Sequence, residues 1–180
     1  MSALHDLLVA QFVALGYDLD DPHLSGSPGR IARFWSEWHT VGRPPPKLTT
    51  FPAEHYDQIV VVDGIRFYAL CAHHGLPFHG DAAVGYLPGA RLVGLSKFAR
   101  VVDHYARRFT TQERMTEEIA DHLSAGLEPR GLGVVVRAEH LCMSMRGIQR
   151  PGHSTVTSAM RGVFLDKPEA RAELLALVGR

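Results

Sequence analysis

The sequence lacks the features that mark several large classes of protein. Its 180 residues include 19 basic and 19 acidic side chains, so no overall charge favours a nucleic acid or an anionic membrane as partner. No apolar run approaches the roughly 20 residues that cross a bilayer. The N-terminus also lacks a basic start followed by a cleavable apolar stretch. We therefore expect a cytoplasmic protein that binds neither nucleic acid nor membrane, and that holds any anionic ligand through a local cluster of cations.

Cysteine is scarce, and the positions of the two cysteines are informative. In a reducing compartment Cys71 and Cys142 are expected to be thiolate ligands or core residues rather than a disulfide. Cys71 begins the stretch "CAHHGLPFHG", in which His74 follows three residues later. With Cys142, these side chains would give three ligands and leave one tetrahedral position for water, as in a catalytic zinc site. An ordinary alternative remains: Cys142 as a small buried side chain and the histidines in a hydrogen-bonded turn.

Strands and helices alternate in blocks along the chain. Apolar spacing predicts a helix from Leu4 to about Gly16 and another from Ser27, and the proline-rich segment 42–54 is predicted to be a loop. The Asp63-Gly64 pair lies between two β-branched and aromatic runs, which indicates a hairpin. Two further helices are predicted between strands, from Ser96 to about Arg108 and from Thr111 to about Ala125. This order favours an α+β fold in which an antiparallel sheet is backed by helices.

The last third of the chain has two strand-like stretches and a final helix. "GLGVVVRAEHLCMSMRG" and "STVTSAMRGVFL" are rich in β-branched residues, and "PEARAELLALV" has helical spacing. If the first stretch is extended throughout, His140 and Cys142 point to the same face. Long apolar strands leave sheet edges that need cover, and a homo-oligomer joined through those edges would provide it.

Five segments together resemble the GTP cyclohydrolase I family, in the same order and with nearly the same spacing. They are "CAHHGLPFHG", "VGYLPGARLVGLSKFARVVDHYARR", "TQERMTEEIA", "GLGVVVRAEHLCMSMRGIQ" and "STVTSAMRGVF". The resemblance runs from about Asp57 to Leu177. It implies a T-fold domain over residues 51–180, preceded at 1–50 by a helical segment and a proline-rich loop. It also implies a barrel-centred homodecamer that converts GTP and water to 7,8-dihydroneopterin triphosphate and formate.

The resemblance also implies a role for each candidate site residue. Zinc would be held by Cys71, His74 and Cys142, and the catalytic residues would be His73, His140 and Ser96. Glu113, with Gln112 beside it, would bind the guanine edge. The triphosphate would be held by the cations Lys97, Arg100, Arg146 and Lys47. Sites in this family are assembled from neighbouring subunits, so a single chain is expected to lack a complete pocket.

Some of these residues also have ordinary structural interpretations. Thr110 and Glu113 have the spacing of a capping box at a helix start. Ser96 is predicted to be an N-cap, and Lys97 and Arg100 share a helix face near an N-terminus that favours anions. Ala72 departs from the glutamate that is usual in the family's metal motif, although no ligand is lost.

Two alternative functions remain open at this point. One is a related purine-nucleotide cyclohydrolase that stops at the ring-opened product. The other is a zinc-containing oligomer that binds nucleotide without turnover. The presence of two histidines suited to proton transfer near neutral pH favours an enzyme over a binding module.

Overall fold

The computed structural model describes residues 2–54 and 56–179 of the chain. The chain forms two compact units, Met1–Val41 and Gly42–Arg180. The first unit contains the two predicted helices, α1 (Ala3–Ala14) and α2 (Ser27–Trp38). α1 is capped by Ser2, whose hydroxyl accepts a hydrogen bond from a backbone N–H in the first turn, and α2 has a proline near its start, where a missing N–H costs no hydrogen bond.

The second unit is built on a five-stranded sheet. Its strands are β2 (Val60–Cys71), β3 (Pro77–Leu87), β5 (Phe109–Thr110), β6 (Gly131–His140) and β7 (Thr155–Gly162). They lie in the order β5–β2–β3–β6–β7, and every pair is antiparallel except β2 with β5. A separate two-stranded sheet pairs β1 (Thr50–Pro52) with β4 (Arg91–Val93), so the segment predicted to be a loop contains a short strand.

The prediction of a hairpin at Asp63-Gly64 is wrong. β2 continues through these residues as one strand, and its register against β3 shifts between Val62 and Ile65. Gly64 has a positive φ of 67°, and its N–H donates a hydrogen bond to the side chain of Asp63. A glycine with a positive φ can accommodate the extra residue of a β-bulge as readily as it can form a turn.

Two helices pack against one face of the sheet, as predicted. They are α3 (Ser96–Ala106) and α4 (Gln112–Leu127). The core that they form with the strands contains Phe67, Phe78, Val84, Phe98, Val102, Met115, Ile119, Leu123, Val134 and Val136. The α+β architecture, an antiparallel sheet backed by two helices, is therefore confirmed.

A smaller core lies on the opposite face of the sheet. Two short helices, α5 (Leu141–Ser144) and α6 (Val163–Asp166), follow β6 and β7, and the predicted C-terminal helix is present as α7 (Pro168–Val178). Leu174 of α7 packs with Met160 and Phe164. Gly85 and Gly133 are cross-strand partners beneath Leu174, and a Cβ on either would collide with its methyl groups. These two glycines therefore allow the helix to approach the sheet closely.

Both edges of the sheet are open within the described residues. β7 pairs only with β6, and the outer edge of β2 pairs with β5 only at Leu70 and Cys71. Unpaired N–H and C=O groups along such edges are a template for pairing with another chain. Among residues 2–54 and 56–179, no helix has the length and apolar character that crossing a membrane requires.

Candidate metal centre and active site

The first half of the candidate metal centre is a turn at the end of β2. Cys71 closes this turn on both sides, because its N–H donates to the carbonyl of Leu76 and its carbonyl accepts from the N–H of Gly75, each at 2.8 Å. Gly75 has a φ of 68°, which bends the chain back toward the strand. As a result the Nδ1 atom of His74 lies 3.6 Å from the Sγ atom of Cys71.

The second half of the centre differs from the sequence prediction. β6 ends at His140, and Cys142 lies in the one-turn helix α5 rather than two residues along a strand. The Ser144 hydroxyl stabilises this turn by donating to the carboxylate of Glu139 at 2.6 Å. Cys142 nevertheless reaches the predicted position, since the ligand atoms of Cys71, His74 and Cys142 all lie within 4.8 Å of one another.

The separation of the Cys71 and His74 donor atoms fits a tetrahedral metal ion. Zinc–sulfur and zinc–nitrogen bonds of about 2.3 and 2.05 Å at a tetrahedral angle separate the two donor atoms by about 3.6 Å. That is the distance observed between Cys71 and His74. Burial, and then the neighbouring Cys71, raise the pKa of the Cys142 thiol. Two adjacent thiolates are thus unfavourable unless a cation lies between them.

A cavity of about 140 Å³ opens beside these ligands. Besides the three candidate ligands, its lining contains His73, Phe78, Thr110, Thr111, Gln112, Glu113 and His140. The structure therefore brings together seven of the twelve predicted site residues, namely Cys71, His73, His74, Gln112, Glu113, His140 and Cys142. These are the groups predicted to hold the metal, transfer protons and recognise the base.

His140 is held in one orientation by two neighbours. Its ring stacks on Phe78, with the centroids 4.7 Å apart and the planes 3° from parallel. Its Nε2 atom lies 2.8 Å from Oε1 of Gln112. Burial lowers the pKa of His140, and the nearby Glu113 carboxylate opposes that shift. Neutral imidazole can therefore accept a proton near neutral pH.

The Gln112 side chain is buried at the wall of the cavity and is held by other protein groups. Only 1% of its surface is exposed, and both ends of its amide are hydrogen-bonded to protein atoms. No local pattern indicates these contacts, because the partners lie 24 to 43 residues away along the chain. Gln112 nevertheless belongs to the cavity lining beside Glu113, and its binding of the base stays a prediction.

Glu113 is not part of a capping box. The N-cap of α4 is Thr111, whose hydroxyl accepts from the N–H of Arg114, while the hydroxyl of Thr110 donates to the carbonyl of Thr111. The cap thus lies one residue later than the sequence suggested, and Glu113 sits in the first turn of the helix. Among the described residues no hydrogen-bond donor contacts its carboxylate, which is exposed at the cavity.

The remaining predicted residues do not line this cavity. Ser96 is the first residue of α3 rather than its N-cap, which is Leu95 in helical conformation and without a side-chain cap. The predicted phosphate-binding cations Lys47, Lys97, Arg100 and Arg146 also lie outside the lining. Lys97 is half-buried and the other three are exposed. Of these residues, Arg146 lies near enough to Cys142 to act on the pKa of its thiol, whereas Ser96, Lys97 and Arg100 lie together at the start of α3.

A second cavity, of about 430 Å³, adjoins the start of α3 and was not predicted. Its walls include Phe51, Tyr56, Leu92 and Leu95, and its accessible lining is almost wholly apolar. Leu95 directly precedes Ser96 and Lys97, so this apolar surface is adjacent in the chain to a hydroxyl and a cation. No motif marks this cavity, since its residues come from separate segments of the chain.

Comparison with known proteins agrees with the site. The sequence profile described as GTP cyclohydrolase I matches residues 5–179. This chain belongs to the GTP cyclohydrolase I family. The protein named GTP cyclohydrolase 1 from Aquifex aeolicus is 49% identical over 91% of this chain and 89% of its own length. The one from Mycolicibacterium gilvum is 48% identical over 99% of this chain and 89% of its own.

Among solved structures, the archaeosine synthase QueF-Like in the apo form aligns with a TM-score of 0.47. It has 19% identity and covers 58% of this chain and 93% of that chain, a likeness too distant to support an argument. The match to the GTP cyclohydrolase I family, by contrast, includes every candidate site residue. Ala72, the position predicted to depart from the metal motif of similar proteins, is exposed and donates its N–H to the carbonyl of Thr110.

Proposed function

We propose that this chain is a zinc-dependent GTP cyclohydrolase that converts GTP and water to 7,8-dihydroneopterin triphosphate and formate. The observation that carries the proposal is the convergence of Cys71, His74 and Cys142 within 4.8 Å beside a cavity that also contains Glu113 and His140. Two thiolates and one imidazole are the donors that suit zinc, and three protein ligands leave one position open. When bound there, zinc would lower the pKa of a coordinated water toward neutrality.

Glu113 would provide recognition of the base. Its carboxylate has no hydrogen-bond donor among the described residues and can accept from two N–H groups at once. Guanine presents such a pair of donors on its Watson–Crick edge, whereas adenine does not. The carboxylate would therefore distinguish GTP from ATP.

His140 and His73 would carry protons during ring opening and release of formate. Both line the cavity beside the candidate metal ligands. A ring nitrogen of imidazole can donate a proton to the leaving nitrogen of the purine ring and take one from water at the same pH. The two histidines lie on different elements, the turn after β2 and the end of β6, so they can act on opposite sides of one ligand.

The phosphate end of the substrate would be bound by a second subunit. A cavity of about 140 Å³ is too small for a nucleotide, because ligand pockets measure roughly 300–1,000 Å³. Ser96, Lys97 and Arg100 lie in the first turns of α3, directly after Leu95 in the wall of the apolar cavity of about 430 Å³. If subunits join through the open edges of β2 and β7, the start of α3 in one subunit can face the metal cavity of another.

The proposed assembly assigns the remaining candidate residues. It is a homo-oligomer, a decamer by resemblance to the family, in which Ser96 acts on the ribose. Four cations would bind the triphosphate, namely Lys47, Lys97, Arg100 and Arg146. Lys47, Arg100 and Arg146 are exposed and Lys97 is half-buried, so all four are accessible to a nucleotide held by a neighbouring subunit.

Incubation with GTP and zinc tests this function directly. The protein is expected to release formate together with a product that fluoresces after oxidation to a pterin, and ATP should give neither. Formate without a pterin would show a cyclohydrolase that stops at the ring-opened product. If neither appears while GTP still binds, the protein is a nucleotide-binding oligomer, and the proposed function is wrong.

A further inference from the structure

The buried amide of Gln112 has a place in the proposed chemistry other than substrate binding. We infer that Gln112, held by Thr157 and Thr116, is a positioning residue that keeps a proton on Nε2 of His140 and leaves Nδ1 to exchange protons with the substrate. The inference rests on the proposed function for the catalytic role of His140. The hydrogen-bond network itself stands on the geometry alone.

The orientation of the Gln112 amide is fixed by its neighbours. Its Nε2 atom lies 3.0 Å from the carbonyl oxygens of Val136 and Thr155. A carbonyl oxygen only accepts hydrogen bonds, so the NH₂ end of the amide must face these two atoms. Reversing the amide would lose both hydrogen bonds and place its oxygen against two carbonyl oxygens.

Two threonine hydroxyls fix the same direction independently. The Thr116 hydroxyl donates to the backbone carbonyl of Gln112 at 2.7 Å, which uses its only hydrogen. The Thr157 hydroxyl lies 2.7 Å from that of Thr116 and must therefore be the donor in this contact. Since its hydrogen is used, Thr157 can only accept from Nε2 of Gln112, which lies 3.1 Å away, and the two hydrogens of Nε2 are shared among this hydroxyl and the two carbonyls.

The consequence for His140 follows from the oxygen end of the amide. Oε1 of Gln112 has no hydrogen, so Nε2 of His140, at 2.8 Å, must donate. Stacking on Phe78 restrains the ring plane, and a ring flip would lose the bond to Gln112. Within the described residues Nδ1 of His140 has no hydrogen-bond partner. It is therefore the ring nitrogen that remains available to a ligand in the cavity.

This network is built at the junction of three elements. Gln112 and Thr116 occupy successive turns of α4, Val136 lies on β6, and Thr155 and Thr157 lie on β7. Gln112 and Thr116 are each 1% exposed. A buried polar network is costly unless every member is satisfied, and here every direction is determined. Such a network suits a residue whose purpose is to orient another side chain.

Nitrogen NMR of the full-length, zinc-loaded protein with labelled histidine reads the tautomer directly. The His140 signals are identified by their loss in the His140→Gln variant. At a pH where His140 is neutral, we expect a protonated Nε2 and an unprotonated Nδ1. An Nδ1–H tautomer would overturn the inference, whatever the activity of the protein.

The kinetics of the Gln112→Leu variant distinguish a residue that positions His140 from one that binds substrate. Leucine nearly keeps the side-chain volume but removes the hydrogen-bond acceptor. We expect kcat for GTP to fall about ten- to a hundred-fold, while KM changes less than about two-fold. The expected fall is smaller than the roughly 10²–10⁴-fold loss of rate that follows removal of a general acid–base. Thr157→Val should lower kcat in the same direction and Thr157→Ser should restore it. Ser158→Ala, which removes an exposed hydroxyl from the same strand, should leave kcat unchanged.

The outcomes distinguish the roles open to Gln112. A raised KM with unchanged kcat in Gln112→Leu would mean that Gln112 contacts the substrate, against our inference. Loss of zinc from that variant would mean a purely structural role, also against it. If the unaltered protein shows no turnover, the proposed function fails, and the tautomer measured by NMR still decides whether Gln112 orients His140.

Discussion

The metal cavity contains seven candidate site residues and the start of α3 contains three more, Ser96, Lys97 and Arg100. The two regions differ in how completely one chain builds them. In the metal cavity, side chains from β2, α4, β6 and α5 converge within a few ångströms and fix one another by hydrogen bonds. At the start of α3, Ser96 and Arg100 are exposed, and no side chain caps the helix. In the proposed function, metal binding and proton transfer are therefore organised within a subunit, whereas binding of the phosphates depends on how subunits assemble.

Replacing a metal ligand should have the largest effect. Cys142→Ser removes one of three protein ligands, so we expect loss of bound zinc and of GTP turnover while the subunit stays folded. Metal analysis and circular dichroism measure both. Met143→Leu, which changes an exposed sulfur-containing neighbour, is the matched control and should retain zinc. Full zinc occupancy in Cys142→Ser would remove this cysteine from the site.

Glu113→Ala should have the next largest effect, on base recognition. Leaving two donors of guanine unpaired costs about 1–3 kcal/mol, which is roughly a five- to 150-fold rise in the GTP requirement. The melting temperature should hardly change, because the helix cap is Thr111. Thr111→Ala is the converse variant and should lower the free energy of unfolding by about 1 kcal/mol. A Glu113→Ala protein that melts early and binds GTP normally would contradict this division of roles.

Lys97→Ala should weaken binding of the nucleotide more than that of the nucleoside. An ammonium group near the triphosphate adds attraction that salt screens, so the difference between GTP and guanosine should shrink at high ionic strength. Calorimetric titration of both ligands at two salt concentrations measures this. Lys167→Ala, which changes an exposed lysine before α7, should have no such effect. Equal losses for GTP and guanosine would place Lys97 away from the phosphates.

Ser144→Ala should have the smallest effect, confined to the turn that carries Cys142. The hydrogen bond from Ser144 lowers the pKa of Glu139. A carboxyl group whose pKa is lowered by folding stabilises the folded state at pH values above its ordinary pKa. This stabilisation is lost as the pH falls through the folded-state pKa. Urea unfolding should therefore show a small loss of stability for Ser144→Ala near neutral pH that diminishes in acid, below the ordinary carboxyl pKa. If the loss of stability in Ser144→Ala is the same at neutral and at acidic pH, the charge of Glu139 plays no part.

Sequence alone was sufficient for the parts of the site that depend on local chemistry. Cys71 and His74 are close in the chain, and a turn at Gly75 brings them together. The fold class was predictable for a similar reason, because blocks of apolar residues with strand or helix spacing separate clearly. Cys142 was placed correctly beside the other candidate ligands even though the backbone that carries it is a helical turn rather than a strand.

Other features depend on distant parts of the chain and had no local signal. Asp63-Gly64 has the composition of a hairpin turn, and only pairing of β2 with β3 on both sides of it makes it a bulge. Gln112 looks like an ordinary polar residue at a helix start, and its role becomes visible only through its contacts with His140 and Thr157. The cap of α4 lies one residue later than predicted because neighbouring threonines offer two equivalent candidates.

Mixing two inactive variants tests most directly whether one active site needs residues from two chains. Cys142→Ser should lose the metal and Arg100→Ala should bind the triphosphate poorly, but in a mixed oligomer some sites would combine an intact metal cavity with an intact α3. We expect turnover of GTP to reappear when the two proteins are dissociated and reassembled together, and not when each is treated alone. If the mixture has no more activity than the two separate proteins, the whole site lies within one chain, and the proposal of a site shared between subunits is wrong.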